Sequence, residues 1–248
     1  MIRIRGLRKK LGNKQVLDGL DLDVASGETL VVIGRSGTGK SVLLKHIIGL
    51  MAPDEGSIEI EDEEIVGMPE ARMNEVRMRF GMLFQSAALF DSMSVGENVG
   101  LALREHHLAP PDDVARIVSE RLSWVGLQGG EDMKPSSLSG GMRKRVGLAR
   151  AIAVDPAYIL YDEPTTGLDP ITADAINELI RSLQQRLGVT SVVVTHDMTS
   201  AYHVGDRIAM INDGRVVFQG TIDQTRNTTD PMVRQFIQGS REGPIKAI

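Results

Sequence analysis

The chain contains no cysteine. That absence excludes a disulfide framework, a thiolate zinc site and a cysteine nucleophile together, and it fits a reducing compartment such as the cytosol. Long hydrophobic runs are missing too. The most apolar stretches, residues 30–33 and 192–194, fall far short of the roughly 20 residues needed to cross a bilayer, so any membrane involved is spanned by another chain. The start, Met1-Ile-Arg-Ile-Arg, alternates like a strand and lacks the apolar core of a signal peptide. Nor is there an excess of positive charge: 28 Lys plus Arg stand against 33 Asp plus Glu, a formal net charge of −5. Non-specific nucleic-acid binding is disfavoured on that ground. No repeat or low-complexity tract interrupts the 248 residues, a length that suits one large α/β domain or two small ones with a continuous core.

Apolar periodicity and turn residues predict strands at 21–24 and 29–33 and a helix at 41–50, apolar on most of its surface. Strands at 57–60 and 81–84 follow, with a helix over about 69–77 between them. Residues 86–153 then read as mostly helical, with helices at 95–105, 112–125 and 140–153 separated by turns bearing Pro and Gly. Alternation of strand and helix resumes with a strand at 157–161, a helix at 172–187, a strand at 189–195 and a short helix near 198. A hairpin over 207–211 and 216–219 turns at Asn212-Asp213-Gly214, where Gly takes a positive φ. A closing helix covers 230–237. The expected architecture is one α/β core interrupted by a helical insertion.

Gly34-Arg35-Ser36-Gly37-Thr38-Gly39-Lys40-Ser41 fits the phosphate-binding loop G-x-x-x-x-G-K-[ST]. Its glycines let successive backbone N–H groups turn toward phosphate, Lys40 reaches the β and γ oxygens, and the Ser41 hydroxyl suits Mg²⁺. An ordinary Gly-rich turn is disfavoured because the segment follows an apolar strand and opens a helix, whose dipole favours an anion. Tyr158-Ile159-Leu160-Tyr161-Asp162-Glu163 is an apolar strand ending in two carboxylates. Strand alternation turns them to different sides, so that Asp162 can serve a metal while Glu163 meets a water. Taken alone this is a commonplace strand end; after a phosphate loop it becomes a Walker B candidate. Leu138-Ser139-Gly140-Gly141-Met142 opens a helix, and in isolation it reads as a plain N-cap.

The order of these segments, with Gln85, then Gly167-Leu168-Asp169-Pro170, then Val194-Thr195-His196-Asp197, resembles the nucleotide-binding subunit of ATP-binding cassette (ABC) transporters along essentially the whole chain. The resemblance implies a P-loop NTPase of α/β class, with a RecA-like core, an ABC-type antiparallel β region and an inserted α-helical subdomain. It implies a single nucleotide-binding domain over residues 1–248, with 1–85 and 154–248 forming the core and about 86–153 the helical subdomain. Two copies would pair head to tail around two ATP molecules. Ser139, Gly140 and Gly141 of one copy would meet the γ-phosphate held by Lys40 and Ser41 of the other. Gln85 and Asp162 would complete the Mg²⁺ shell, Asp169 would cross the dimer interface, Glu163 would act as base, and His196 would contact the γ-phosphate. Val42 would join residues 34–41 in binding the nucleotide. Two positions depart from the family pattern. Met142 stands where Gln is usual, and Leu11 stands where an adenine-stacking aromatic is expected, so adenine would rest on Leu11 and Val16, without base–aromatic stacking of about 1–3 kcal/mol.

Residues 82–95, 103–106, 138–142 and 233–239 narrow the resemblance to ATPase subunits of Mla (maintenance of lipid asymmetry) systems, the MCE-associated phospholipid transporters of diderm bacteria. Each segment by itself is also consistent with core packing; Leu89, Phe90 and Met93 stand at roughly helical spacing. The narrower resemblance implies an integral membrane permease, a periplasmic MCE-domain protein and, in many members, a small STAS-domain protein as partners. It places the chain on the cytoplasmic side of the inner membrane, held peripherally through the permease. The sequence ends at Ile248, which leaves out most of the longer C-terminal extension of some relatives.

The same engine motifs would also serve an importer of a small solute such as an amino acid. A soluble ABC protein acting on ribosomes or DNA is disfavoured by the single cassette, the absence of a long heptad segment and the negative charge. A GTPase is disfavoured because Asn13-Lys14-Gln15-Val16 lacks the guanine-reading Asp and precedes the phosphate loop. His106-His107 has no second ligand pair at metal spacing and reads as a solvated loop. Arg143-Lys144-Arg145 reads as an exposed helix face, although Arg145 matches a basic position common after the signature segment.

Overall fold

A computed structural model describes residues 1–246; the last two residues of the tail, 247 and 248, lie outside the described residues. Contacts divide the chain into two compact units, residues 1–69 with the chain from Val192 onward, and Glu70–Ser191.

The first unit begins with an antiparallel sheet ordered β2-β1-β4-β5. Its strands are β1 (Ile2–Leu11), β2 (Lys14–Val24), β4 (Glu55–Ile60) and β5 (Glu63–Glu64). Register sets Ile2 opposite Val24 and Ile60, and Ile4 opposite Leu22 and Ile58. Those apolar residues are buried, whereas the interleaved Arg3 and Arg5 are not, as a strand period of two requires. The pairing slips by one residue between Ile4 and Leu7, where Gly6 has φ +57°, so that Leu7 also faces inward. The expected strand at 21–24 is thus only the end of a longer β2. Its first half alternates polar and apolar residues too weakly to read as a strand without its partner.

β3 (Thr29–Ile33) is buried at all five positions. It runs parallel to β9 (Arg207–Asn212), which pairs antiparallel with β10 (Arg215–Thr221) through the expected turn. Asp213 and Gly214 both have positive φ there. Within this unit the strand order is β10-β9-β3-β8; β8 (Thr190–Thr195) starts in the second unit and its last four residues belong to the first. The helices are α1 (Lys40–Ile47), α8 (Met198–Val204), α9 (Ile222–Arg226) and α10 (Pro231–Gln238). Leu43, Leu44 and Ile47 of α1 are fully buried, each contributing about 1.5–3 kcal/mol.

The second unit holds two parallel strands, β6 (Phe80–Leu83) and β7 (Tyr158–Asp162), in register from Phe80 opposite Tyr158 to Leu83 opposite Tyr161. Phe80 and Tyr158 stack with ring centroids 4.8 Å apart. Around them lie α2 (Glu70–Arg77), α3 (Val95–Val99), α4 (Leu101–Glu105), α5 (Pro111–Trp124), α6 (Gly140–Ala151) and α7 (Pro170–Leu187). The helix expected over 95–105 is two short helices divided at Gly100. A Cβ there would lie 2.6 Å from the end of the Arg104 side chain and 3.0 Å from Val118 of α5, a tight approach. Trp124 is held between Arg121, 4.1 Å from its ring centroid, and Arg186, 3.6 Å away, which ties α5 to the end of α7. Among the described residues no helix is long and apolar enough to cross a membrane.

Candidate nucleotide-binding site

In the first unit the phosphate loop joins the end of β3 to the start of α1. Gly34 has φ +153°, and a Cβ on it would lie 2.5 Å from the Ile211 carbonyl oxygen. Gly39 has φ +99°, and a Cβ there would meet Leu17 at 2.9 Å and Val16 at 3.0 Å. These two glycines are required by close approach of neighbouring chain, not by flexibility alone. Gly39 is also the N-cap of α1 and offers no side-chain acceptor to the first-turn amides, which suits that end of the helix to an anion. Thr38 Oγ1 donates to the Arg35 carbonyl at 2.8 Å and closes the loop on itself. The buried Lys40 ammonium donates to the carbonyls of Gly34 at 2.8 Å and Arg35 at 3.1 Å, which brings its charge over the loop. Ser36 and Gly37 are exposed, and Ser41 and Val42 half-buried.

A cavity of about 240 Å³ beside the loop is lined by Arg35, Ser36, Gly37 and Thr38 and by Val16. Lys14, Gln15 and the hairpin residues 212–214 line it as well, and Lys14 Nζ donates to the Gly37 carbonyl at 3.3 Å. Motif reading missed these, because no spacing rule links a hairpin near residue 213 to a loop near residue 36. Leu11 does not line this cavity; it is 42 % exposed at the end of β1, opposite Lys14. His196 is exposed and follows β8, the neighbour of β3. The chain is fixed just beyond it by Asp197, which caps α8 through the amides of Thr199 and Ser200.

The second unit gathers the remaining motif residues. Asp162, which ends β7, and Glu163, which follows it, are each only 9 % exposed. Glu163 has φ +48°, a left-handed conformation that costs a non-glycine residue about 1–3 kcal/mol and persists only where its surroundings enforce it. Two contacts do so: Thr166 Oγ1 donates to Glu163 Oε2 at 3.0 Å, and Lys144 Nζ donates to its carbonyl at 3.1 Å. The same ammonium donates to the Gln85 carbonyl at 2.7 Å. Beyond Gln85, Ala87 and Ala88 also have positive φ, and Arg150 holds both of their carbonyls, at 2.7 Å and 2.6 Å. Burial pushes the Lys144 ammonium down to about 8, against the opposing pull of Asp162 and Glu163. The run at 143–145 is therefore not wholly an exposed face: Arg143 is exposed, but Lys144 is buried and Arg145 donates to the Val125 carbonyl.

Ser139 is exposed and caps α6, its Oγ accepting from the Met142 amide at 3.2 Å. A Cβ on Gly140 would lie 3.3 Å from Leu168, and one on Gly141 would lie 2.5 Å from Thr172, so the signature glycines also let α6 approach the segment around Asp169. Asp169 caps α7 through the amides of Ile171 and Thr172, and its carboxyl is held below the usual range chiefly by the Thr172 hydroxyl, which donates to it at 2.6 Å. Phe90 is half-exposed while Leu89 and Met93 are half-buried, in a turn region instead of a helix. His106 and His107 are exposed, and no group of three or more metal-binding His, Asp or Glu side chains occurs among the described residues.

Residues 17–166 match the family described as ABC transporter. The chain belongs to the ABC transporter family. It is 41 % identical over 246 residues to the Haemophilus influenzae intermembrane phospholipid transport system ATP-binding protein MlaF, covering 99 % of this chain and 93 % of that one. Identity is also 41 % over 244 residues to a Mycobacterium leprae protein named as a probable ribonucleotide transport ATP-binding protein, mkl, covering 98 % of this chain and 70 % of the relative. Among solved structures, the ATP-binding cassette MJ0796, a dimer in a post-hydrolysis state with ADP and Pi, superposes with a TM-score of 0.82 at 32 % identity, over 90 % of this chain and 99 % of that one. The fold is that of an ABC cassette, a P-loop NTPase, and the chain is an ATPase of that family.

Proposed function

We propose that this cassette powers phospholipid transport between the inner and outer membranes through a partner permease. The observation that carries the reading is the 41 % identity to an intermembrane phospholipid transport ATPase along nearly the full length of both chains. Segments 82–95, 103–106 and 233–239 point the same way. The equal identity to a relative named for ribonucleotide transport supports a second reading, a small-solute importer.

Gly39 leaves the first-turn amides of α1 without a side-chain acceptor, beside the buried Lys40 ammonium, which fits a phosphate chain. Ser41, Gln85 and Asp162 offer hydroxyl, amide and carboxylate oxygens, the donor set of a hard divalent cation. In this reading Ser41, Gln85 and Asp162 would hold Mg²⁺, which would neutralise charge on the phosphates when bound. Arg35 to Val42 cradle ATP, and Lys40 supplies positive charge where the γ-phosphate gains negative charge. Val16 and Leu11 support adenine. Glu163 orients the attacking water and takes its proton, with His196 steadying the arrangement. Ser139, Gly140 and Gly141 complete the phosphate shell for a second copy of the chain, and Asp169 spans the interface between copies. Ile171, 83 % exposed beside Asp169, is the type of residue that such pairing would cover. Residues 1–248 act as one nucleotide-binding domain with 86–153 as its helical subdomain. The domain is held at the cytoplasmic face of the inner membrane by the permease, with an MCE-domain protein and a STAS-domain protein as further partners.

Purification through a tag on this chain from native membranes in mild detergent, with mass spectrometry of bound proteins and lipids, tests the reading. Recovery of a permease, an MCE-domain protein and phospholipid is expected. Recovery of a periplasmic solute-binding protein instead would move the assignment to small-solute import.

A further inference from the structure

Lys144 is a lysine in a place where lysine is rarely found. Only 4 % of it is exposed, and a buried ammonium is tolerated only where strong acceptors replace water. The acceptors are the main-chain carbonyls of Gln85, at 2.7 Å, and Glu163, at 3.1 Å, residues 78 positions apart in sequence. Both lie beside strained backbone: Glu163 itself has φ +48°, and Ala87 and Ala88, just after Gln85, have φ +62° and +46°. The helix that carries Lys144 also carries Arg150, which holds the carbonyls of Ala87 and Ala88. Its N-terminus is the signature segment, capped by Ser139. One helix thus grips the Gln85 loop at three carbonyls and the backbone of the catalytic carboxylate at one.

The geometry points to Lys144 as a positioning residue that locks the backbone of Glu163 to that of Gln85, so that displacement of the Gln85 loop or of the signature helix is delivered to the carboxylate that handles the attacking water. The inference rests on Glu163 being the general base. Charge-assisted bonds to two carbonyls are stronger than those a neutral side chain can make, and arginine can also reach two acceptors whereas methionine can reach neither. A residue acting through Glu163 alters turnover; one that shapes the nucleotide pocket alters ATP affinity.

The test is made on the full chain in its membrane complex, comparing wild type, Lys144→Met, Lys144→Arg and Glu163→Gln. Lys144→Met should lower kcat about tenfold or more while the KM for ATP stays within about twofold, and Lys144→Arg should recover most of the lost rate. In the Lys144→Met chain, amide hydrogen exchange should quicken together at 85–88 and 163–166 with the melting temperature little changed. Should that variant fail to fold, Lys144→Gln, which keeps a single neutral donor group, carries the same comparison. Unchanged kcat, a rise in KM matching the fall in kcat, or faster exchange at only one of the two segments would overturn the proposal. Near-normal turnover in Glu163→Gln would remove the base assignment, and with it the premise, a failure separate from any result at Lys144.

Discussion

Under the proposed function, Glu163 concentrates the chemistry of the chain in one side chain and one strained peptide. Its carboxylate is nearly buried, its Oε2 takes a hydrogen bond from Thr166, and its φ is +48°. A glutamine keeps the shape and the hydrogen bond but cannot accept a proton. Glu163→Gln should therefore bind ATP with unchanged affinity and lose about 10²–10⁴-fold in turnover, the usual span of general-base catalysis. Phosphate-release kinetics and binding of a fluorescent ATP analogue measure the two quantities separately, and near-normal release would refute the role. Gly39 shows the opposite constraint: it contributes no functional group, yet Leu17 and Val16 stand 2.9 and 3.0 Å from where a Cβ would be. The residue is fixed by what surrounds it.

At the scale of elements, α1, which follows the phosphate loop, carries a buried histidine. His46 is buried, with Nδ1 2.7 Å from the Val42 carbonyl, which makes Nδ1 the protonated nitrogen of a neutral ring. Burial holds its pKa below the ordinary 6.5; Lys9 adds to the shift, while the Val42 bond and Asp54 oppose it. The unfolded chain then binds a proton that the folded chain resists, so the stability from neutral His46 is present above about pH 6.5 and declines as pH falls below it. Carboxylates held below their ordinary range, such as Asp54 beside Lys9, lose their contribution only near and below pH 3.8. Urea unfolding between pH 7.5 and 5 should show a loss of stability on acidification that is smaller in His46→Leu; an identical slope in the variant would remove His46 from the account.

For the whole molecule, the motif residues divide between the units. The phosphate loop, Val16 and His196 belong to the first; Gln85, the signature segment, Asp162, Glu163 and Asp169 belong to the second. Under the proposed function the signature segment and Asp169 serve a second copy, and stopping hydrolysis should trap the paired state. Glu163→Gln should run as a dimer with ATP and as a monomer with ADP in size-exclusion chromatography with light scattering, and adding Lys40→Ala should abolish the ATP-dependent dimer. A Glu163→Gln chain that stays monomeric at saturating ATP would count against pairing around nucleotide.

The phosphate loop, the strand ending in Asp162-Glu163 and the 212–214 turn were legible in the residues alone because their chemistry is local. Glycine, lysine and serine at fixed offsets do the same work in any strand-to-helix turn, and an apolar run bounded by turn residues has few other uses. The order of the motifs along the chain carried the family. What the sequence could not decide depends on residues far apart. A charged run at 143–145 has the composition of a solvated helix face, and only folding brings the carbonyls of Gln85 and Glu163 to Lys144 so that an ammonium can leave water. Gly100, where a helix divides, lies close against Val114 and Val118 of α5, and Lys14 reaches the Gly37 carbonyl across 23 positions of sequence. Local propensity sets elements and motifs within a few residues; the tertiary structure decides which charges are buried, which glycines are forced by contact and which peptides are held in strain, because each of these is settled by atoms that the neighbouring sequence does not contain.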